Sequence, residues 1–182
     1  MNKKASRLLI AGLVLILTCY VITEVKAGPL DTVAVKVTVT PSISVSVTED
    51  ALTLESVAAG SATVSASAVT ITNNGSGVDE TYSLSLSNPS GWTASQTAPG
   101  VETYVLNAAF SNVVGGIIWS ETNHALFTSA VVCSASKFAG DQTGVGVPYN
   151  ATRKLWFQFK APTATTVGIE QDIVVTVTAQ VS

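Results

Sequence analysis

The chain is poor in cysteine, with only Cys19 and Cys133 among 182 residues. Cys19 lies in an N-terminal segment that we predict to be removed, so one thiol would remain and no intramolecular disulfide could form. Stability must then come from packing. Cys133 follows two valines, and we expect it to be buried as a small apolar side chain, with an intermolecular disulfide as the alternative.

Histidine is rarer still, since His124 is the only one in the sequence. The chain also has no Gly-x-Ser-x-Gly, no His-Glu-x-x-His and no glycine-rich phosphate loop. We therefore predict a protein that is not an enzyme, with no catalytic, cofactor-binding or metal-binding residues and no cofactor. His124 itself is expected on the surface or in a loop.

Acidic pairs occur at Glu49-Asp50 and Asp79-Glu80. Neither has the several ligands at fixed spacing that a calcium loop needs. We expect solvated charges at strand ends, where they discourage pairing between sheet edges. A hydrolase that used such groups as acid and base would need two carboxylates within about 10 Å across one cleft, and this stays open as a third functional hypothesis.

Basic residues are scarce, with nine Lys and Arg against twelve Asp and Glu. Removal of residues 1–27 would take away four basic residues and one acidic residue, which leaves a net charge near −6. This balance argues against nucleic acid as a partner, because a basic stripe is expected there. It also disfavours electrostatic binding to an anionic membrane.

The only long apolar run lies at the N-terminus. Lys3, Lys4 and Arg7 precede apolar residues 8–23, and Val-Lys-Ala at 25–27 fits a small-residue cleavage site. We predict a helical signal peptide over residues 1–27, and hence a secreted or cell-surface protein with no membrane span in its mature form. A retained anchor and lipidation at Cys19 are the alternatives.

After the signal, one stretch alternates for fifteen residues, from Val33 to Val47. The odd positions are apolar: Val33, Val35, Val37, Val39, Pro41, Ile43, Val45 and Val47. At about 3.3 Å per residue this stretch would reach about 50 Å, too long for one ordinary strand. We predict a long N-terminal strand over residues 32–48, bent at Pro41 because proline lacks an amide hydrogen. Either its first half pairs with another copy, or Pro41 marks a corner between two sheets of the same domain.

The rest of the chain reads as short strands separated by Gly, Pro, Asn and Ser. The predicted strands are 51–57, 63–72, 81–87, 92–95, 102–110, 154–160 and 172–181. The strands at 63–72 and 81–87 flank an Asn-Gly loop and are expected to form a hairpin, while 136–152 is expected to be a long surface loop. Residues 28–182 therefore predict an all-β domain, a single antiparallel β-sandwich or jelly roll of about eight to ten strands.

Three phrases of the sequence resemble those of a known class of protein. They are Val-Thr-Ile-Thr-Asn-Asn-Gly-Ser at 69–76, Ala-Pro-Thr at 161–163, and Ile-Val-Val-Thr-Val-Thr-Ala at 173–179. Similar strand-to-loop phrases occur in extracellular bacterial and archaeal β-sandwich proteins, both immunoglobulin-like surface modules and jelly-roll proteins of the TasA type. The TasA-type proteins assemble into fibres by donating an N-terminal strand, and the resemblance implies the same compartment and fold for this chain.

Two functional hypotheses follow. The first is a secreted structural protein of the cell surface or matrix, possibly a fibre subunit, that associates with itself or another surface protein through Val33, Val35, Val37 and Val39. The second is a secreted module that binds a polysaccharide or another partner through exposed aromatic rings, with Trp92 and Trp119 as the candidates. For each tryptophan, packing in the core is the competing interpretation.

Overall fold

The computed structural model describes residues 33–49 and 51–182. The predicted signal peptide, residues 1–27, lies outside the described residues, as does its predicted helix. Across the described ranges no helix has both the length and the apolar character needed to cross a membrane.

The chain divides into two units, residues 1–39 and residues 40–182. In the first unit, residues 33–39 carry no helix and no strand, and each of them is exposed. The second unit begins one residue before Pro41, the position at which the sequence predicts a bend.

Residues 40–182 are built mainly from β-strands, with a single-turn helix α1 at Glu121–His124 and a 3₁₀ turn at Val114–Gly116. The all-β prediction is confirmed, and the strands form two sheets. The described strands are β1 Val45–Val47, β2 Ala62–Val64, β3 Val69–Asn73, β4 Glu80–Ser87, β5 Thr93–Ala94, β6 Thr103–Phe110, β7 Val131–Val132, β8 Thr152–Lys160 and β9 Val174–Val181.

Strand β8 organises the first sheet, whose order is β1-β3-β8-β6-β5. Its alternating Leu155, Phe157 and Phe159 are buried, so one face of the strand packs on the core. On one side β8 pairs with β6, and on the other with β3 and β2 placed end to end. All these pairs are antiparallel, and only the two-residue β5 runs parallel to its neighbour β6.

The single strand predicted over 63–72 is interrupted at Ser65. The Ser65 N–H donates to the Phe157 carbonyl at 2.9 Å, and the Phe157 N–H donates to Ser65 Oγ at 3.2 Å. A hydroxyl therefore takes the place of a backbone carbonyl where the pairing along β8 breaks. The prediction located the strand correctly but missed this break.

The second sheet has three strands in the order β7-β4-β9. Strands β4 and β9 pair over eight residues, from Glu80 opposite Val181 to Ser87 opposite Val174. This antiparallel pair joins two of the alternating segments predicted from the sequence, 81–87 and 172–181. Its register places the apolar residues of both strands on one face.

The predicted hairpin between 63–72 and 81–87 is wrong, because β3 and β4 belong to different sheets. The loop between them begins at Asn73, which is fully buried. Its Nδ2 donates to the carbonyls of Val78 and Val147, both at 2.8 Å, and its Oδ1 accepts the Gly75 N–H. These bonds hold the loop as a crossing between the sheets instead of a tight turn.

Side chains of both sheets join one core cluster. The rings of Tyr82 on β4 and Phe110 on β6 have centroids 6.1 Å apart, so the two sheets are in contact through aromatic side chains. Both residues are fully buried.

Two further segments differ from the predictions. Residues 51–57 form no strand, although Leu52 and Leu54 pack against the core at alternate positions. The segment 136–152 is not a surface loop throughout, since Phe138 and Val147 are fully buried. Val147 exchanges backbone hydrogen bonds with Glu80 at 2.7 and 2.9 Å, so this segment extends the pairing of β4.

Candidate assembly surface

The predicted assembly residues are a row of exposed valines in the first unit. Val33, Val35, Val37 and Val39 are 86%, 79%, 76% and 80% exposed. Single exposed apolar residues are common on protein surfaces, but a continuous apolar stripe marks an interaction site. The row consists of residues that favour β-strands, and water covers each of the four side chains in the subunit.

The chain just after Pro41 is fixed by the loop that follows β3. The Ser42 N–H donates to Ser76 Oγ at 2.7 Å, and the Ser76 N–H donates back to the Ser42 carbonyl at 2.7 Å. The Asn74 N–H donates to the Ser44 carbonyl at 2.7 Å. Ordered pairing therefore begins at Ser42, three residues before β1.

Glu80 completes this anchor and corrects a prediction. It was expected to be a solvated charge, but it is fully buried, and its Oε1 accepts the Ser44 N–H at 2.7 Å. The turn packs so closely that a Cβ on Gly75 would lie 2.7 Å from both Glu80 Oε1 and the Ser42 carbonyl. The sequence pattern does not indicate that Glu80 is buried, because Asp79 and Glu80 form one acidic pair and only Asp79 is exposed as expected.

Strand β9 forms an edge of the second sheet. It pairs with β4 on one side, and no described strand pairs with its other side. The residues that face the core are fully or nearly fully buried on β4 but only half-buried on β9. The opposed pairs are Tyr82 with Ala179, Leu84 with Val177, and Leu86 with Val175. Cover over the core is thus thinner on β9 than on β4. Strand β1 of the first sheet lies near β9 but does not pair with it, so the backbone groups on this side of β9 have no strand partner among the described residues.

Trp92, the first aromatic candidate, is half-buried in an aromatic cluster. Its ring stacks on Phe159 at 5.9 Å and lies 6.3 Å from Tyr104. Its indole Nε1–H donates to Thr165 Oγ1 at 2.9 Å. One ring face and the only polar atom of the side chain are therefore already engaged.

Trp119, the second candidate, lies in a different part of the unit. It is half-buried and meets His124 edge-on, with ring centroids 5.7 Å apart. The structure thus assigns the two tryptophans to separate clusters and does not bring them together into one stacking platform. Beside Trp119, Ile118 is 89% exposed.

His124 is buried at the end of α1, so the expectation of a surface position is wrong. Its Nδ1 accepts the Ser120 N–H at 3.1 Å, which leaves Nε2 as the nitrogen that donates to the Ala139 carbonyl at 3.1 Å. Both ring nitrogens are used structurally, and the ring joins α1 to the following loop.

A polar cluster that the sequence did not indicate lies where α1 meets β6 and β8. The Lys160 ammonium forms an ion pair with the Glu121 carboxylate. The Asn107 amide is fully buried beside them, and its Nδ2 donates to Gln158 Oε1 at 2.9 Å. Only the register of β6 and β8 reveals this grouping, since the residues are far apart in sequence.

Cys133 is buried, as predicted, and it is unpaired within the described part of the chain. Burial raises the pKa of its thiol to about 12. A thiol in this environment is inert at neutral pH, because the reactive species is the thiolate.

The described residues contain no group of three or more His, Cys, Asp or Glu side chains that could hold a metal ion. Comparisons with protein-family models, curated proteins and solved structures found no match to this chain. The functional argument therefore depends on the geometry above.

Proposed function

We propose that this chain is an exported, non-enzymatic structural protein of the cell surface or extracellular matrix. In this proposal the second unit is a β-sandwich, and residues 33–39 of one copy add a strand to the free edge of β9 in the next. Two observations together support the proposal. One part of the chain has an exposed row of valines, and in another part β9 pairs with a described strand on one side only.

The two surfaces match in length and in chemistry. Seven residues of extended chain span about 23 Å and the eight residues of β9 about 26 Å at 3.3 Å per residue. The apolar face of the donor would lie against the half-buried residues Val175, Val177 and Ala179. Its backbone would supply the hydrogen bonds that the β9 edge lacks, which is the general mode of β-strand addition.

The free energy gained by burying the valine row is close to the cost of association. Burial of one valine contributes about 1.5–3 kcal/mol, so the four valines contribute about 6–12 kcal/mol. Association costs about 4–15 kcal/mol in lost translational and rotational freedom. The valine row alone is therefore marginal, and the new backbone bonds and the added cover over β9 must supply the remainder.

The geometry of donor and acceptor predicts an open assembly. The donor is a segment near the N-terminus and the acceptor is the last strand, so the contact is heterologous. A head-to-tail contact that does not close into a ring continues into a filament. This distinguishes the proposal from a symmetric dimer, in which the same patch would occur on both sides.

A truncation tests the proposal. The form that begins at Gly28 is compared with one that begins at Thr40, which keeps the Ser42 N–H and its bond to Ser76. We expect filaments from the Gly28 form by negative-stain microscopy and a folded monomer from the Thr40 form by size-exclusion chromatography and circular dichroism.

Other outcomes refute strand donation between copies. If both forms stay monomeric, donation fails, and a glycan-binding screen with Trp92→Ala and Trp119→Ala variants tests the alternative of a carbohydrate-binding module. If the Thr40 form does not fold, the valine row belongs to its own domain, as the corner hypothesis at Pro41 requires.

A further inference from the structure

A lysine and an asparagine of the first sheet lie on the same face as each other, and a glutamate of α1 contacts the lysine. Asn107 lies on β6 opposite Gln158 of β8, and Lys160 is two residues further along β8. Residues two apart on a strand share a face, so Asn107 and Lys160 are diagonal neighbours, about 7–8 Å apart between backbones. An extended lysine side chain spans that separation. Glu121 reaches the same place from the first turn of α1.

One direct contact and one electrostatic effect relate these three side chains. The Lys160 ammonium donates to Glu121 Oε1. The Lys160 hydrogen bond is the main cause that holds the pKa of the Glu121 carboxyl below its ordinary value, and a smaller contribution comes from the Asn107 side chain. The carboxylate thus pairs with the amine, and the register of β6 and β8 places the amide on the same face as that amine.

In the described part of the chain, Asn107 shares with Glu80 and Tyr82 a buried side-chain oxygen that has no hydrogen-bond partner, and of the three it alone lies beside a lysine amine. It is fully buried, its Nδ2 is bonded to Gln158, and its Oδ1 is buried without a hydrogen-bond partner. An amide oxygen in this position has lost its hydrogen bonds to water, and no protein donor replaces them. A buried, unsatisfied polar atom calls for a specific explanation, and reactivity of the group to which it belongs is one.

We propose that Lys160 and Asn107 form an intramolecular isopeptide bond, with Glu121 as the acid–base group that promotes it. The side chains are held together by the fold, so the reaction is unimolecular and gains from proximity. The product is a covalent link between β6 and β8, the two longest strands of the first sheet. This proposal does not depend on strand donation.

The chemistry is a condensation that balances without another reactant. The Glu121 carboxylate accepts one proton from the Lys160 ammonium as the amine attacks Asn107 Cγ, because a separate transfer to a carboxylate of lowered pKa would be unfavourable. Glu121 then gives this proton to Nδ2 as the Cγ–Nδ2 bond breaks. The new bond joins Nζ to Cγ, and the departing ammonia takes the second proton that Nζ gives up, leaving as ammonium. Glu121 ends as a carboxylate.

Intact mass spectrometry of the purified, denatured protein tests the proposal directly. The bond removes one ammonia, so we expect a mass about 17 Da below that of the unmodified chain. Trypsin should also fail to cleave after Lys160, and fragments that contain Asn107 and Lys160 should be recovered as one linked species.

Three variants make the test specific. Lys160→Arg removes the nucleophile and Glu121→Gln the acid–base group, so both should restore the full mass. Lys154→Arg lies on the same strand but outside the cluster, and it should keep the deficit.

Two results would overturn the proposal. The first is a wild-type protein with the full mass, which would mean that the cluster is an ordinary ion pair. The second is a deficit that persists in Lys160→Arg, because an Asn-Gly step such as Asn74-Gly75 can lose the same mass by forming a succinimide.

Discussion

Replacement of two valines in the exposed row by threonine separates folding from assembly. Val35→Thr with Val37→Thr keeps the branched shape and the strand preference of each residue but puts a hydroxyl in place of a methyl group. The two side chains are 79% and 76% exposed in the subunit. We therefore expect the stability of the isolated subunit to change by less than about 0.5 kcal/mol.

In the proposed fibre we expect the same change to be costly. Each hydroxyl would be buried against β9 without a hydrogen-bond partner, and we take the cost as about 1–2 kcal/mol per site. The double variant then loses about 2–4 kcal/mol of contact free energy. Since 1.4 kcal/mol is a factor of ten, the subunit concentration needed for assembly should rise about 30-fold to 1,000-fold.

Sedimentation of fibres at a series of subunit concentrations measures this threshold. The matched control is Val101→Thr, a valine of similar exposure, 71%, that lies outside the row. The control should assemble like the wild type. A double variant that assembles at the wild-type concentration would refute the reasoning, because the row would then be exposed in the fibre as well.

Three other predictions concern the second unit. Gly144→Ala should lower stability by about 1–3 kcal/mol in denaturant unfolding, because the new Cβ would lie 2.7 Å from Cys133 Sγ and 2.8 Å from the Phe110 ring, whereas Gly115→Ala has open space and should be tolerated. Cys133 should resist iodoacetamide at pH 8 in the folded protein and react when denaturant is added, since burial raises its pKa to about 12; rapid labelling of the native state would contradict this. Hydrogen bonds from Thr165 and Thr166 lower the pKa of Glu102, so its contribution to stability is present above the ordinary carboxyl pKa and is lost as the pH falls through the folded value. Glu102→Gln should therefore differ from the wild type in thermal unfolding at neutral pH and converge with it in acid, and a constant difference would argue against that role.

Strands with one buried face were predictable from sequence, and their partners were not. The segments that became β4, β8 and β9 alternate because every second residue contacts the core, whereas β6 is buried on both faces and its apolar pattern is less regular. Periodicity reports which face is buried but carries no information on which strand lies beside it. The expected hairpin failed for this reason, since the polar loop after β3 is held as a crossing by the buried Asn73.

Polar residues that the fold buries were the main source of error. Glu80 and His124 look like surface residues in sequence, yet each is buried because it satisfies backbone groups of a neighbouring loop. Phe138 is the converse case, an apolar residue in a polar segment that reaches the core. In each case the cause is a tertiary contact with no local signal.

The candidate site also has parts that can be predicted from the sequence and parts that cannot. The valine row is visible in sequence, and its role as a donor stays a prediction. The half-buried face of β9 is not visible, because its alternation is as regular as that of a fully covered strand. The grouping of Asn107 and Lys160 requires the register of β6 and β8.

The two proposals act on different parts of the subunit, which determines how they can be told apart. A bond between Asn107 and Lys160 closes a loop of about 50 residues that contains α1 and β7, and such a closure restricts the unfolded chain by about 4 kcal/mol. It includes neither the valine row nor β9. Loss of the bond in Lys160→Arg should therefore lower the resistance of the subunit to unfolding while the concentration needed for assembly stays the same. Loss of the valine row should do the opposite, because those side chains stabilise only the contact between copies.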